Sequence, residues 1–382
     1  MGLKTSSRSA IAPFIVMEVM RAAAEREAGG ADVIHLEVGQ PSTGAPRPVI
    51  EAAKAALTAD RLGYTDALGV PALRARIARF YRERYGVALD ASRVVVTTGS
   101  SGAFLLAFLA AFDANDTVAV SEPYYPGYRN ILQALDVVPA TFPTGIETGF
   151  QPTVAQLDEL AQSPAGLIVA SPANPTGSML SAAALGDIAA WCRRRSVRLI
   201  SDEIYHGITF NKPAQTALAV ADEAIVINSF SKYFSMTGWR LGWMVIPADM
   251  VRTVERLAQN LFISPPTLAQ FAAVAAFDSI EELDDNVARY GRNRGILIEG
   301  LGRAGLGHIA PADGAFYVYA DLQGIAPSST DFCARLLREA GVAATPGIDF
   351  DRNRGERFVR FCFAGSEAEM HEAVRRITAW RG

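Results

Sequence analysis

The stretch AIVINSFSKYFSMTGWRLGWMVIP, residues 224–247, sets a single lysine between two apolar runs. AIVINS (224–229) is a short, continuous, β-branched run. Such runs suit strands buried on both faces of a parallel sheet. RLGWMVIP (240–247) is a second run of the same kind. Between them stand Ser229, Ser231, Lys232, Ser235 and Thr237, closed by Arg240. A solvated loop would explain this composition. So would a nucleophilic amine beside an anion site, and the rest of the chain has to separate the two readings.

The same theme recurs on the N-terminal side. RVVVTTG (93–99), TVAVSEP (117–123), GLIVASP (166–172) and VRLISDE (197–203) are apolar runs that end in small or polar residues. Helical patterns such as AFLLAFLAAF (103–112) and AAALGDIAAWCRR (182–194) lie between them. Alternation of this kind predicts an α/β fold, three αβα layers around a mostly parallel sheet. The flanks differ. Residues 13–29 read as an amphipathic helix, a long helical stretch comes after 247, and GAFYVYADL (314–322), GVAATPG (341–347) and RFVRFCFA (357–364) return to mixed α/β. The expected division is a large domain over 46–279 and a smaller mixed α/β domain built from 1–45 and 280–382.

Composition bounds the function. The chain has 382 residues, a net charge of −4, half apolar residues and a fifth charged. This is an ordinary globular balance, and its mild acidity disfavours nucleic acid as a partner. No apolar run approaches a membrane span. Three cysteines, Cys192, Cys333 and Cys362, are scattered and odd in number, which fits a reducing cytoplasm better than a disulfide framework. The four histidines show no metal-ligand spacing, so no metal is expected. Arg193–Arg195 read as the solvated end of a helix, and the acidic cluster Glu281, Glu282, Asp284, Asp285 as an exposed helix face. The opening matches the loose N-myristoylation pattern through Gly2 and Ser6, a pattern short enough to arise by chance.

In open α/β sheets ligands bind beyond the carboxyl ends of the strands, so the residues just after each run are informative. Gly99-Ser100-Ser101-Gly102 opens a helix, which suits a phosphate as well as plain capping. Tyr125 could stack on a flat ring or be an ordinary half-buried tyrosine. Asn174 lies in a turn, Asp202 ends a buried run, and Tyr205 comes shortly after it. A buried carboxylate is costly without a partner, and a desolvated lysine can lose its proton and form a Schiff base. One cofactor accounts for the set. In pyridoxal 5′-phosphate (PLP) the aldehyde meets Lys232, and the phosphate meets Ser100, Ser101, Ser229 and Arg240. The pyridine nitrogen meets Asp202, the phenolate oxygen meets Tyr205 and Asn174, and the ring face meets Tyr125.

SPANPTG, SDEIYHG and SFSKYFSMTGWRLGW resemble, in order and in spacing, three motifs of the class I/II aminotransferases, the fold-type I PLP enzymes related to aspartate aminotransferase. LEVGQP (36–41), LGYTDALGVPALR (62–74), VTTGSSGAF (96–104), GAFYVYADL and FVRFCF extend the likeness over nearly the whole chain. The resemblance implies a ping-pong transfer of an amino group from an amino acid to a 2-oxo acid through pyridoxamine phosphate. Lys232, Asp202 and Tyr205 would be catalytic. Ser100, Ser101, Gly102, Tyr125, Asn174, Ser229, Ser231 and Arg240 would hold the cofactor, and Gly39, Asn174 and Arg360 the substrate carboxylate. It further implies that Tyr64 reaches the phosphate of a neighbouring subunit in a homodimer. Position in RFVRFCF leaves Arg360 free to face either side of its strand.

A β-elimination lyase and a PLP-binding regulatory module use the same fold and remain as alternatives. The regulator would need a DNA-binding domain, for which there is no room before residue 13. No strand leads into G-x-G-x-x-G, which disfavours a dinucleotide enzyme. No second arginine for a side-chain carboxylate can be placed by motif. The apolar stretch Pro13–Met17, at a segment that lines the substrate pocket in relatives, suggests a neutral aliphatic or aromatic donor. By analogy the acceptor would be 2-oxoglutarate or pyruvate.

Overall fold

The computed structural model describes residues 3–59 and 61–381, so Gly2 of the myristoylation pattern lies outside the described residues. Its strands, in chain order, are β1 (Ile34–His35), β2 (Val94–Thr97), β3 (Thr117–Glu122), β4 (Val138–Pro143), β5 (Gly166–Ala170) and β6 (Arg198–Asp202). They continue with β7 (Ile225–Ser229), β8 (Gly242–Val245), β9 (Tyr317–Asp321), β10 (Val342–Ala343), β11 (Thr345–Pro346) and β12 (Phe358–Cys362). Seven of them form the central sheet, in the order β2-β8-β7-β6-β5-β3-β4. Only β8 runs antiparallel to its neighbours.

Period-two alternation explains the layers. Val96, Leu167, Val169, Leu199, Val226, Trp243 and Val245 point into one core, with Leu73 and Ile77 of helix Pro71–Tyr85 and Leu185 and Ile188 of helix Ala182–Arg195. Val95, Val118, Val120, Ile168, Ile200, Ile225, Ile227 and Met244 point into the other, with Phe104 and Phe108 of helix Gly99–Ala111 and Val254 of helix Val251–Leu261. Both faces of the sheet are therefore dry. This is why these strands read as continuous apolar runs rather than as alternating ones.

Three expectations need correction. β4 is absent from the sequence reading. It carries Pro139 and Pro143 and is mostly half-buried or exposed, so it lacks the apolar run that marks the others. It lies at the sheet edge beside β3, where proline is tolerated. The expected strand 240–247 begins later, at Gly242, because Arg240 turns the chain in the left-handed region (φ 51°). The helical stretch after 247 is broken into Val251–Leu261, Thr267–Ala273 and Ile280–Arg303.

A second sheet, β11-β12-β9, is antiparallel. Beside it β1 pairs with β10 in parallel, Ile34 opposite Val342, and the Cys362 amide donates to the Leu36 carbonyl at 2.7 Å. The two ends of the chain thus meet in one unit.

Six parallel strands, β2 to β7, bring their carboxyl ends to one edge. β8 runs the other way, so the residues that precede it arrive at the same edge. Gly242, at the start of β8, lies against that edge. A Cβ there would come within 2.8 Å of the Gly99 carbonyl carbon and 2.9 Å of the Ser100 amide and the Asn228 carbonyl oxygen. All three are backbone atoms and cannot swing aside. Gly242→Ala is expected to lower stability by about 1–3 kcal/mol, measured as a fall in the urea midpoint with an unchanged slope.

Candidate active site

A cavity of about 190 Å³ opens at this edge. It is lined by Gly39, Ser100, Ser101, Tyr125, Asn174, Asp202, Tyr205, Ser231, Lys232, Arg240 and Arg360, with Phe14, Val16, Met17, Val38, Tyr128 and Tyr317. A larger cavity of about 500 Å³, bounded by Arg354, Arg357, Tyr319 and Phe358, contains none of these strand-end residues.

Lys232 stands just beyond β7 and is half-buried, its Nζ donating to the Gly39 carbonyl at 2.6 Å. Burial pushes its pKa down to about 8, assisted by the positive charges of Arg360 and Arg240 and opposed by Cys362 and Asp202. A neutral, nucleophilic amine is therefore accessible at mildly alkaline pH. A side chain at 39 would displace Tyr317, since a Cβ there would fall 1.8 Å from the Tyr317 hydroxyl.

Asp202 ends β6 and is 3% exposed. The Tyr128 hydroxyl donates to it, and so does the Ile204 amide at 3.1 Å. Burial raises its carboxyl to about 6, against the pull of these donors and of Lys232. Tyr205 meets Tyr317, hydroxyl to hydroxyl, at 2.6 Å. Tyr125 is half-buried at the start of helix Pro126–Ala134, with Phe14 edge-on to its ring at 5.7 Å.

Among the described residues no side chain caps the N-terminus of helix Gly99–Ala111, where Ser100 and Ser101 stand. The Arg240 guanidinium lies over that end. A Cβ on Gly99, which has φ +71°, would approach it to 2.7 Å. Uncapped N–H groups, two hydroxyls and a guanidinium make an anion cradle.

Arg360 resolves the two faces left open by its strand, because it points inward and is buried. Its Nη1 donates to the Asn174 side-chain oxygen at 2.8 Å. Its Nη2 donates to the Glu37 carbonyl and to the Thr345 hydroxyl. The guanidinium lies between the rings of Tyr317 (4.4 Å) and Phe350 (4.7 Å), and Nε has no hydrogen-bond partner among the described residues.

Three of the expected residues are not brought to the cavity. Ser229 holds its own turn, bonding the Leu241 carbonyl and the Ser231 amide. Gly102 lies inside the helix, against the Thr98 hydroxyl. Tyr64 is 84% exposed. His206 is buried between Tyr85 and the Ser171 carbonyl, and burial drives its pKa to about 3. Arg193–Arg195 do close a helix, and the acidic cluster at 281–285 is exposed on the first turns of another.

Sequence reasoning misses Tyr128 and Tyr317. Tyr128 stands one helical turn after Tyr125, spacing that brings both to one face. Tyr317 shares a strand face with Tyr319, and nothing in GAFYVYADL separates the two.

Over residues 31–377 the chain matches the family aminotransferase class I and II. The chain belongs to that family. It is 50% identical over 381 residues to valine–pyruvate aminotransferase of Mycobacterium tuberculosis, covering 99% of this chain and 98% of that one. The crystal structure of an aminotransferase from Mycobacterium tuberculosis superposes with a TM-score of 0.97 at 50% identity, covering 99% of each chain. Aspartate aminotransferase from Thermus thermophilus with maleate superposes at 0.94 with 31% identity, covering 99% of this chain and 100% of that one. The protein is thus an aminotransferase, of a family that works with PLP and passes an amino group from an amino acid to a 2-oxo acid.

In this aminotransferase Asp202 binds its proton more tightly folded than unfolded. Its contribution to stability is present below the unfolded value of 3.8 and is lost as pH rises through about 6. In the cofactor-free protein Asp202→Asn removes that dependence. Urea unfolding is expected to show the variant gaining on the parent by on the order of 2–3 kcal/mol between pH 4 and pH 7.

Proposed function

We propose that this aminotransferase holds PLP covalently on Lys232 and takes a neutral amino acid with an aliphatic side chain as donor, with pyruvate as acceptor. The observation that carries the donor class is the wall of Phe14, Val16, Met17 and Val38, which shares one cavity with Lys232 and Arg360. An apolar wall binds a branched side chain by removing it from water, and a second carboxylate would meet no cation on that wall. The related valine–pyruvate aminotransferase supports the same pair of substrates.

The residues present fit the cofactor. The uncapped helix end with Ser100, Ser101 and Arg240 suits a doubly charged phosphate. Buried Asp202, with a proton-donating tyrosine on one side, suits a ring nitrogen that must stay protonated. Tyr205 and Asn174 offer donors to a ring oxygen, and Tyr125 an aromatic face. When bound, PLP supplies an aldehyde for the amine and a ring that accepts the electron pair left at the substrate Cα.

The chain's own groups do the rest. Arg360, fixed by Asn174 and the Glu37 carbonyl, orients the α-carboxylate through a planar fork. Lys232, its pKa lowered by burial, takes the Cα proton and returns it on the far side of the transfer. Gly39 lends the backbone carbonyl that keeps the amine at the cavity floor.

The exposed Tyr64 is read as reaching the phosphate of a second copy in a homodimer with shared sites, in the cytoplasm. The large domain spans 46–279 and the small one 1–45 with 280–382. No described helix is long and apolar enough to cross a membrane.

Borohydride reduction of the holoenzyme, digestion and peptide mass mapping are expected to leave a pyridoxyl group on Lys232. A tag on any other lysine overturns the assignment. Arg360→Lys keeps the charge and loses the fork. It is expected to raise KM for the amino donor by about tenfold or more with little change in PLP affinity, and an unaltered KM removes Arg360 from this role.

A further inference from the structure

The helix that supplies the apolar wall, Ile15–Ala28, begins without a cap of its own, because Phe14 at its N-cap has no polar side chain. Its first amides are nevertheless paired. Asp349, 334 residues away, accepts from the Ile15 amide on one carboxylate oxygen and from the Val16 amide on the other, each at 3.3 Å. Asp349 is 1% exposed and sits in the short turn after β11. A cap borrowed from another part of the chain satisfies the helix end and fixes where that end lies.

Here it fixes three of the four wall residues. Phe14, Val16 and Met17 are within two positions of the bonded amides and line the cavity. The next residue after Asp349, Phe350, carries the Arg360 guanidinium on its ring at 4.7 Å. One turn, Asp349-Phe350, therefore touches both the wall for the side chain and the arginine for the carboxylate. Burial raises the Asp349 carboxyl, against the helix amides and the positive charges of Arg360 and Arg129. A neutral, isosteric amide could keep one of the two bonds.

We propose that Asp349 is a positioning residue for donor specificity: by capping helix Ile15–Ala28 it sets the distance between the apolar wall and Arg360. The proposal rests on the reading of that wall as the donor side-chain site. It does not touch the chemistry at Lys232.

The test compares parent, Asp349→Asn and Asp349→Ala holoenzymes on alanine, 2-aminobutyrate, valine and leucine with pyruvate (alanine by exchange of labelled pyruvate). The expected result is a KM increase that grows with side-chain length, to about five- to tenfold for leucine in Asp349→Ala. The increase should be smaller in Asp349→Asn, with alanine and kcat changed by less than about twofold and the cofactor absorbance retained. Independently of turnover, amide exchange over residues 12–20 of the cofactor-free protein should be faster in Asp349→Ala. An equal KM rise for all four donors, or unchanged exchange, overturns the proposal. If Asp349→Ala does not fold, Asp349→Asn decides by the same criteria. A parent enzyme with no preference for longer donors defeats the donor reading itself. A parent with that preference and variants that keep it defeat only the role of Asp349.

Discussion

Lys232 Nζ donates to the carbonyl of Gly39, and that 2.6 Å contact joins parts of the chain 193 residues apart. The lysine comes from the end of β7 in the central sheet. Gly39 comes from the segment after β1, whose partner β10 lies near the other end of the chain. Residue 39 packs this closely because it has no side chain, since the Tyr317 hydroxyl occupies the space a Cβ would need. Three chain segments have to converge before the amine is shielded from water. Its lowered pKa is a consequence of that convergence, so the reactivity of the lysine is a property of the whole fold.

Arg360 is set in place by different means. Among the described residues no carboxylate lies within ion-pair distance of it, though its charge is felt at Asp349; the guanidinium is held by carbonyl and hydroxyl oxygens and by two aromatic faces. A carboxylate neighbour would have neutralised it. Neutral oxygens and ring quadrupoles hold the arginine while leaving its net charge for an incoming anion. The site thus sets an amine whose proton burial loosens beside a buried guanidinium held by neutral oxygens and rings.

Much of this is legible in the sequence because the sheet is dry on both faces. Doubly buried strands such as Ile225–Ser229 leave continuous apolar runs, and polar residues at their ends then stand out. Lys232, Asp202, Asn174 and Ser100 are found in this way. β4 is not, since an edge strand has no such constraint. Ser229 joins the expected ligand-binding residues because a hydroxyl near a lysine looks the same whether it faces a ligand or its own turn. The facing of Arg360 and the part played by Tyr128 and Tyr317 depend on how two separate sheets meet, which no local pattern records. Asp349 belongs to the same class, as its partners lie more than three hundred residues away.

The unforeseen edge strand has an effect of its own. Val138 turns its amide inward, to the Asp116 carbonyl, so residues 139, 141 and 143 direct their backbone outward. Two of these three are Pro139 and Pro143, which have no N–H to offer. At the opposite edge the amide of Val96, on β2, is already taken by the Leu68 carbonyl. A stray extended peptide therefore finds few free backbone donors on either flank. The sheet thus offers little to recruitment by other molecules, which disfavours fibrous polymerisation in a chain so rich in β-branched segments.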